Sequence, residues 1–309
     1  MSEFSLRTHP IAERPSKVGL ADLAPPPAPL PALLERLPRQ FAGNDLRALV
    51  SAMAGAHRAG RRVAITMGAH VIKCGLSPVL IDLMRRGIVT SVATNGAAII
   101  HDSELALFGC TSELVDQGLR DGTFGMAEET HRFVNGAVAE GVRRGLGIGR
   151  AIGQALLAAG APHAEVSLFA QAAQLDLRAT VHVAIGTDVV HMHPTADGAA
   201  IGEGSLRDFR QFVEVARGLA GGVLLNLGSA VLMPEVVLKA LAVLANQGAR
   251  LDGCLSADLD MARGYRGSKQ IVERISALGG QGLGLVGHHE IMIPLLAGLV
   301  LAELDHATA

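Results

Sequence analysis

Six short apolar runs, each ending in a polar cluster, constrain the fold more than any other feature of this chain. They are RRVAITMG (61–68), IVTSVATNG (88–96), TVHVAIG (180–186), VLLNLG (223–228), LDGCLSA (251–257) and LGLVG (283–287). A strand that is apolar on both faces is buried on both faces, which is the habit of parallel sheets covered by helices. The intervening segments carry helical periodicity. In NDLRALVSAMAGAHRAG (44–60), Leu46, Leu49, Val50 and Met53 fall on one face, with Asn44 as the expected N-cap. SPVLIDLMRRG (77–87) has Pro78 in its first turn and Gly87 past its end. MAEETHRFVNGAVAEGVRRG (126–145) and IGRAIGQALLAAG (148–160) form a helical middle section with no strand between them. SLRDFRQFVEVARGL (205–219), PEVVLKALAVLANQG (234–248) and a run over about 290–303 complete the alternation. The expected class is therefore α/β, a mostly parallel sheet with helices on both faces.

Two units are expected: a Pro-rich N-terminal arm over 1–43 and an α/β body over 44–309. In the arm, APPPAPLP (24–31) favours polyproline II and LPALLERL (30–37) a short helical turn. Hydrophobic residues make up 49% of the chain, enough for a large core, yet no run approaches the roughly 18–20 apolar residues of a membrane helix. The first residues include Glu3, Arg7, Glu13, Arg14 and Lys17 and no apolar stretch, which argues against a signal peptide. Cys74, Cys110 and Cys254 are scattered, as in a reduced, cytoplasmic protein. With a net charge of −2, one tyrosine and no tryptophan, the chain lacks the basic stripe and stacking rings of a nucleic-acid binder. Lysine is scarce: only Lys17, Lys73, Lys239 and Lys269 are available for lysine chemistry.

Ligands of parallel α/β sheets lie outside the carboxyl ends of the strands. The polar clusters MGAH (67–70), TNGAAIIHDSE (94–104), GTDVVHMHPTADG (186–198), NLGSA (226–230), SADLD (256–260) and GHHE (287–290) fall there, predicting a shared active-site rim. The H-x-H of His191 and His193, with His101, Asp102, Asp188, His288, His289 and Glu290, contains metal-type ligands but no metal motif. It reads as a metal site, as the wall of an organic-ligand pocket, or as structural histidine. GLGIGRAIG (145–153) follows a helix instead of a strand, so it reads as a helix–helix turn, not as a dinucleotide fingerprint. Gly228–Ser229 and Ser256–Ala257 either pack closely or let backbone amides approach a ligand.

Over ITMGAHVIKCGLSPVLIDLMRRGIVTSVATNGAAIIHDSE (65–104) the sequence resembles the deoxyhypusine synthase family. The family's Thr-Ala-Gly type turn is matched by Thr94-Asn95-Gly96, and the acidic residues after it by Asp102 and Glu104. The likeness continues in order through GTD (186–188), LGSAV (227–231), SADLD (256–260) and GHHEIMIPLLAG (287–298), covering about residues 44–300. The resemblance implies a Rossmann-like fold, a homotetramer and NAD bound between subunits. It implies oxidation of an amine to an imine by hydride transfer, then aminoalkyl transfer through a lysine imine to a protein lysine, or reduction. His70, Thr94, Asn95, Gly96, Asp188, Gly228, Ser229, Ser256, Ala257 and His289 would line NAD. Asp102, Glu104, Asp197 and Glu235 would hold a small cationic amine.

The chain departs from the family where the chemistry lies. The family's catalytic lysine follows a tryptophan–glycine pair; here tryptophan is absent and Lys269 is the only lysine in that window. Lys269 and Lys73 are the candidate nucleophiles, and His191, His193 and His288 the candidate proton carriers. Two other functions fit the same residues. One is a metal-dependent hydrolase or lyase using His191, His193 and His288; the other is a non-catalytic NAD sensor.

Overall fold

The computed structural model describes residues 6–30 and 33–306. Eight strands are found among them: β1 Ser16–Gly19, β2 Val63–Met67, β3 Ser91–Asn95, β4 Cys110–Glu113, β5 Arg178–His182, β6 Val223–Leu227, β7 Leu255–Asp260 and β8 Gln281–Val286. The helices are α1 Leu33–Arg36, α2 Phe41–Arg58, α3 His70–Lys73, α4 Ser77–Arg85, α5 Gly96–Phe108 and α6 Val115–Asp121. They continue as α7 Glu128–Arg143, α8 Ile148–Ala158, α9 Leu168–Gln174, α10 Gly198–Arg217, α11 Leu232–Asn246 and α12 His289–His306. No helix among the described residues is long and apolar enough to cross a membrane.

Six strands form one sheet in the order β5-β3-β2-β6-β7-β8, every pair parallel. Numbered by chain position within the sheet, this is the Rossmann order 3-2-1-4-5-6. The strands are apolar because both faces are covered. On one face Leu49, Val50, Val79, Leu80, Ile99, Leu296 and Val300 bring α2, α4, α5 and α12 against the sheet. On the other, Phe212, Val213, Val237, Leu241 and Ile271 bring α10, α11 and a π-helical turn, Gly267–Glu273. Order reverses between β2 and β6, where successive connections leave in opposite directions. The crevice beyond their carboxyl ends is the switch point where such sheets take ligands.

Several sequence expectations are corrected. Asn44 lies inside α2, which begins at Phe41; Arg47 donates to Leu34 O, Pro38 O and Gly43 O and winds the preceding turn onto the helix. TNGAAIIHDSE is not a rim turn, because β3 ends at Asn95 and α5 starts at once at Gly96, so His101, Asp102 and Glu104 are helical. The strand expected over 251–257 starts at Leu255, after a turn at Gly253 with φ 73° that only glycine adopts readily. Ser256 and Ala257 therefore stand inside β7, and Asp260 occupies its end. In the arm, β1 pairs antiparallel with β4, and Leu30 N bonds Gly298 O. Residues 31–32 of the expected turn, 1–5 of the arm and 307–309 of the body lie outside the described residues.

GLGIGRAIG joins α7 to α8, as its helical context predicts. Its amino end is held by Asp208 of α10, fully buried, whose Oδ2 accepts Gly149 N at 3.0 Å and Val181 N at 2.8 Å. Burial raises this carboxyl from 3.8 to about 7, and the backbone donors only partly oppose it. The folded pKa lies above the unfolded one, so the stability contributed by protonated Asp208 is full below about 3.8 and lost as pH rises through about 7. Asp208→Asn keeps an acceptor for both amides but cannot ionise. Its melting temperature should gain on that of the wild type between pH 5 and 8, and a pH-independent difference would refute the assignment.

Candidate active site

The carboxyl edge of β2, β3 and β5 opens into a cavity of about 200 Å³. Its walls are Lys73 after β2, Ala97, Ile100, His101 and Glu104 of α5, and Thr187–Val189 after β5. Arg14 from the amino-terminal segment and Glu113 of β4 close the outer side. The amino-terminal arm thus supplies a wall of the cavity.

Charge organises this wall. Glu104 is 2% exposed and Arg14 6%, and the guanidinium grips the carboxylate with both terminal nitrogens, at 2.8 and 3.0 Å. Two hydroxyls complete the shell: Thr130 donates to Glu104 Oε1 at 2.8 Å and Thr111 to Oε2 at 2.6 Å. Thr111 Oγ1 is also 2.7 Å from His101 Nδ1. Burial takes His101 down to about 4, with Glu104 opposing and Lys73 and Arg14 reinforcing the shift. Glu113 accepts Gly125 N on both oxygens. Both glutamates are thereby committed to protein donors, whereas Lys73 has no carboxylate partner among the described residues.

Asp188 forms the floor. It is buried, and its Oδ2 would lie 2.0 Å from a Cβ on Gly96, so the carboxylate sits over the first turn of α5 only because that position is glycine. Burial raises Asp188 from 3.8 to about 6, opposed by a hydrogen bond from Thr187. The dipole of α5 favours a negative charge there.

The H-x-H is taken apart by its own loop. His191 Nδ1 accepts Gly186 N and Asp188 N at 3.2 and 3.3 Å, so this ring folds the turn that carries Asp188. His193 stacks on His131, centroids 4.8 Å apart, and its Nδ1 contacts Thr195 Oγ1. His288 stands exposed near the start of α12, 3.9 Å from Glu290. These three rings do not converge, and among the described residues no three His, Cys, Asp or Glu side chains are grouped to hold a metal ion. The proton carriers and metal ligands expected of this trio lack a common centre.

Four other expected residues do structural work. Asp102 is fully buried and caps α9, accepting Ser167 Oγ, Leu168 N and Phe169 N. Asp197 caps α10 through Ala199 N and Ala200 N. Glu235 binds Lys239, Arg266 and Gln270, tying α11 to the π-helical turn. Lys269 on that turn is half-buried and paired with Glu273 at 2.7 Å. Of the expected substrate carboxylates only Glu104 reaches the cavity, and of the two lysines only Lys73. Sequence reasoning missed Arg14, Thr111 and Thr130, which come from segments without a strand-end signature.

The switch point and this cavity share α3, which begins at His70 and ends at Lys73. A Cβ on Gly68 would lie 2.8 Å from Gly228 O, and one on Gly228, where φ is 61°, 2.4 Å from the buried ring of His289. Both positions require glycine if the strand ends are to close on each other. Ser229 Oγ accepts Met233 N at the start of α11. Thr94 and Asn95 end β3, with Asn95 Oδ1 buried and unpartnered among the described residues; His70 contacts His289 edge to face at 5.7 Å. Ser256 Oγ instead donates to Ile271 O and Ala257 is core, so neither faces the crevice. Of the helix amino ends at this edge, that of α5 already faces the Asp188 carboxylate, and at α11 Met233 N is taken by Ser229 Oγ, Glu235 N by Val231 O, and Pro234 has no N–H. The amino end of α12 is left to face a phosphate, and Asp260 offers a carboxylate suited to a ribose hydroxyl. The switch point, the Gly68–Gly228 approach and the α12 amino end accord with the place where sheets of this order take dinucleotides.

Fold and site define a Rossmann-type α/β protein with a switch-point crevice and a charged side cavity. No family model matches the sequence, and no curated protein matches it. Among solved structures, AgrE in its ternary complex with ornithine and NAD+ is similar over 86% of this chain, with TM-score 0.52 and 18% identity. The chain spans 33% of the length of AgrE, about a third. A candidate LOR/SDH protein from Methanococcus maripaludis S2 is similar over 87% of this chain and 70% of its own, with TM-score 0.54 and 14% identity. A candidate deoxyhypusine synthase from Entamoeba histolytica gives 84% and 89%, with TM-score 0.50 and 11% identity. At these identities the likeness is one of fold, including the likeness to deoxyhypusine synthase.

The Arg14–Glu104 pair makes a stability prediction. Removing one partner of a buried pair leaves an uncompensated charge, a loss of about 3–5 kcal/mol. Arg14→Met should cost that much in denaturant unfolding and speed hydrogen exchange of β1 and β4. A loss below about 1 kcal/mol, the range of an exposed pair, would show that Arg14 does not anchor the segment.

Proposed function

We propose that the protein is an NAD-dependent enzyme that oxidises a small amine bearing a carboxylate. The observation that carries this reading is the charge of the cavity beside the dinucleotide-compatible crevice. Its glutamates are bound to protein donors; among the described residues Lys73 has no carboxylate partner, and the buried Asp188 meets only a Thr187 hydrogen bond and His191 Nε2 at 3.9 Å. Such a pair suits a zwitterion, with carboxylate at Lys73 and ammonium at Asp188. A dicationic polyamine would find its expected partner Glu104 already held by Arg14. The reading accords with the ornithine and NAD+ bound by AgrE. At about 200 Å³ the cavity suits a small metabolite.

In this reading the amino end of α12, beside Gly228, holds the diphosphate of NAD, and Asp260 a ribose hydroxyl. NAD supplies the hydride acceptor. Lys73 and Asp188 fix the amine between them, and Arg14 and Glu113 exclude water from the outer side. Aminoalkyl transfer of the deoxyhypusine synthase kind would need a lysine at the cavity; Lys73 is there and Lys269 is not.

At NAD tenfold above its Kd, linkage stabilises the fold by about 1.4 kcal/mol, or roughly 2–4 °C in melting temperature. Lys73→Met should preserve that shift and raise KM for an amino acid substrate by about 10- to 100-fold, the value of a charged hydrogen bond. No thermal shift at millimolar NAD would refute the dinucleotide, and an unchanged KM in Lys73→Met would refute the carboxylate.

A further inference from the structure

We propose that His101 is the proton acceptor of this site, held by Thr111 and Glu104 with Nε2 unprotonated and open to the cavity. The inference rests on the amine-oxidation reading above and assigns the residue that takes the proton. It follows from counting donors along one chain of contacts. A carboxylate gripped by a guanidinium is an acceptor only, so the 2.6 Å contact between Thr111 and Glu104 consumes the single hydroxyl proton of Thr111. Toward His101 the hydroxyl then offers only a lone pair. The 2.7 Å contact requires a proton on Nδ1 of His101. A neutral imidazole with its proton on Nδ1 carries its lone pair on Nε2.

The doubly protonated ring is disfavoured because burial, with Lys73 and Arg14 nearby, holds the imidazole neutral at physiological pH. Nε2 has no protein partner among the described residues, and the ring lines the cavity. Arg14, Glu104, Thr111 and His101 thus form a relay in which a hydroxyl stands between carboxylate and imidazole. The carboxylate fixes the hydroxyl, and the hydroxyl fixes the tautomer. Thr111 is a positioning residue, and His101 the group that meets the substrate.

The amine enters as a primary ammonium on a carbon that bears one hydrogen. Nε2 of His101 takes one N–H proton, forming an imidazolium and leaving a lone pair on the substrate nitrogen. That pair forms the C=N bond as the C–H pair departs as hydride to the nicotinamide, the oxidant already named. The products are the protonated imine (an iminium cation), reduced dinucleotide and imidazolium, which returns its proton to water. A substrate carboxylate paired with Lys73 screens the lysine from the imidazolium, so the acceptor strengthens when the proper substrate binds.

Long-range 15N–1H NMR of histidine-labelled, unliganded protein at pH 7 reads the tautomer directly. The expected result is an Nδ1–H tautomer for His101, lost in Thr111→Val and kept in Thr111→Ser. In kinetics, His101→Asn should lower kcat by about 10²- to 10⁴-fold while leaving the NAD-induced thermal shift intact. Thr111→Val should lower kcat with KM unchanged and shift the acid limb of the pH profile, and Thr111→Ser should restore it. An Nε2–H tautomer in the wild type, or His101→Asn retaining kcat within about threefold, overturns this assignment while NAD binding preserves the function reading. Failure of the wild type to bind NAD overturns both.

Discussion

Glu104 is a carboxylate that the fold has placed where water cannot reach it. An ion moved from water into a protein interior loses several kcal/mol of hydration, so the charge persists only if the protein replaces the solvent shell. Four donors from three distant segments do so: two nitrogens of Arg14, and the hydroxyls of Thr111 and Thr130. Each brings backbone with it. Arg14 draws in the amino-terminal segment, Thr111 fixes β4 against β1, and Thr130 anchors the first turn of α7. The outer wall of the cavity is a by-product of satisfying one buried charge. A strand pair too short to stand alone in water is stable here because it carries these partners.

The sheet contributes the other half of the site by topology alone. Reversal of strand order between β2 and β6 sends the connections that follow them in opposite directions and leaves a gap at their carboxyl ends, the edge at which the helices after β3, β6 and β8 begin. Positive dipole ends therefore gather at one edge whatever side chains are present. Gly68, Gly96 and Gly228 refine this edge, because each lets another group approach closer than a Cβ would allow. At Gly96 the group is the carboxylate of Asp188 itself, so a backbone requirement and a candidate binding charge meet in one contact.

The fold was legible because apolar runs such as VLLNL report burial on both faces, and burial on both faces admits few architectures. The site was less legible, for physical reasons that differ by residue. Strand-end position pointed to Asp188, which lines the cavity, and to Gly228, which stands at the switch point, since loop polarity and glycine are local signals. It failed for Asp102 and Asp197, because a carboxylate beside a helix start caps that helix as readily as it binds a ligand. It failed for Ser256 because β7 runs three residues beyond Ala257, and a strand boundary is not encoded in any single side chain. Arg14 could not be found at all. Its role depends on a partner 90 residues away, and nothing in the arm's sequence distinguishes an anchored arginine from a solvated one.

The histidines of TDVVHMHPTADG sharpen the same point. Their spacing suggests shared chemistry, yet alternate residues of a tight turn point apart, and each ring is used to hold the loop. His191 braces the amides around Asp188, and His193 rests on His131. The histidine with a free nitrogen at the cavity is His101, one turn into α5, unremarkable in sequence because its partners Thr111 and Glu104 are 10 and 3 residues on. A motif reports which residues are adjacent in the chain. Chemistry requires that their protons be assigned, and at this site assignment comes from the hydrogen-bond chain that begins at a buried charge.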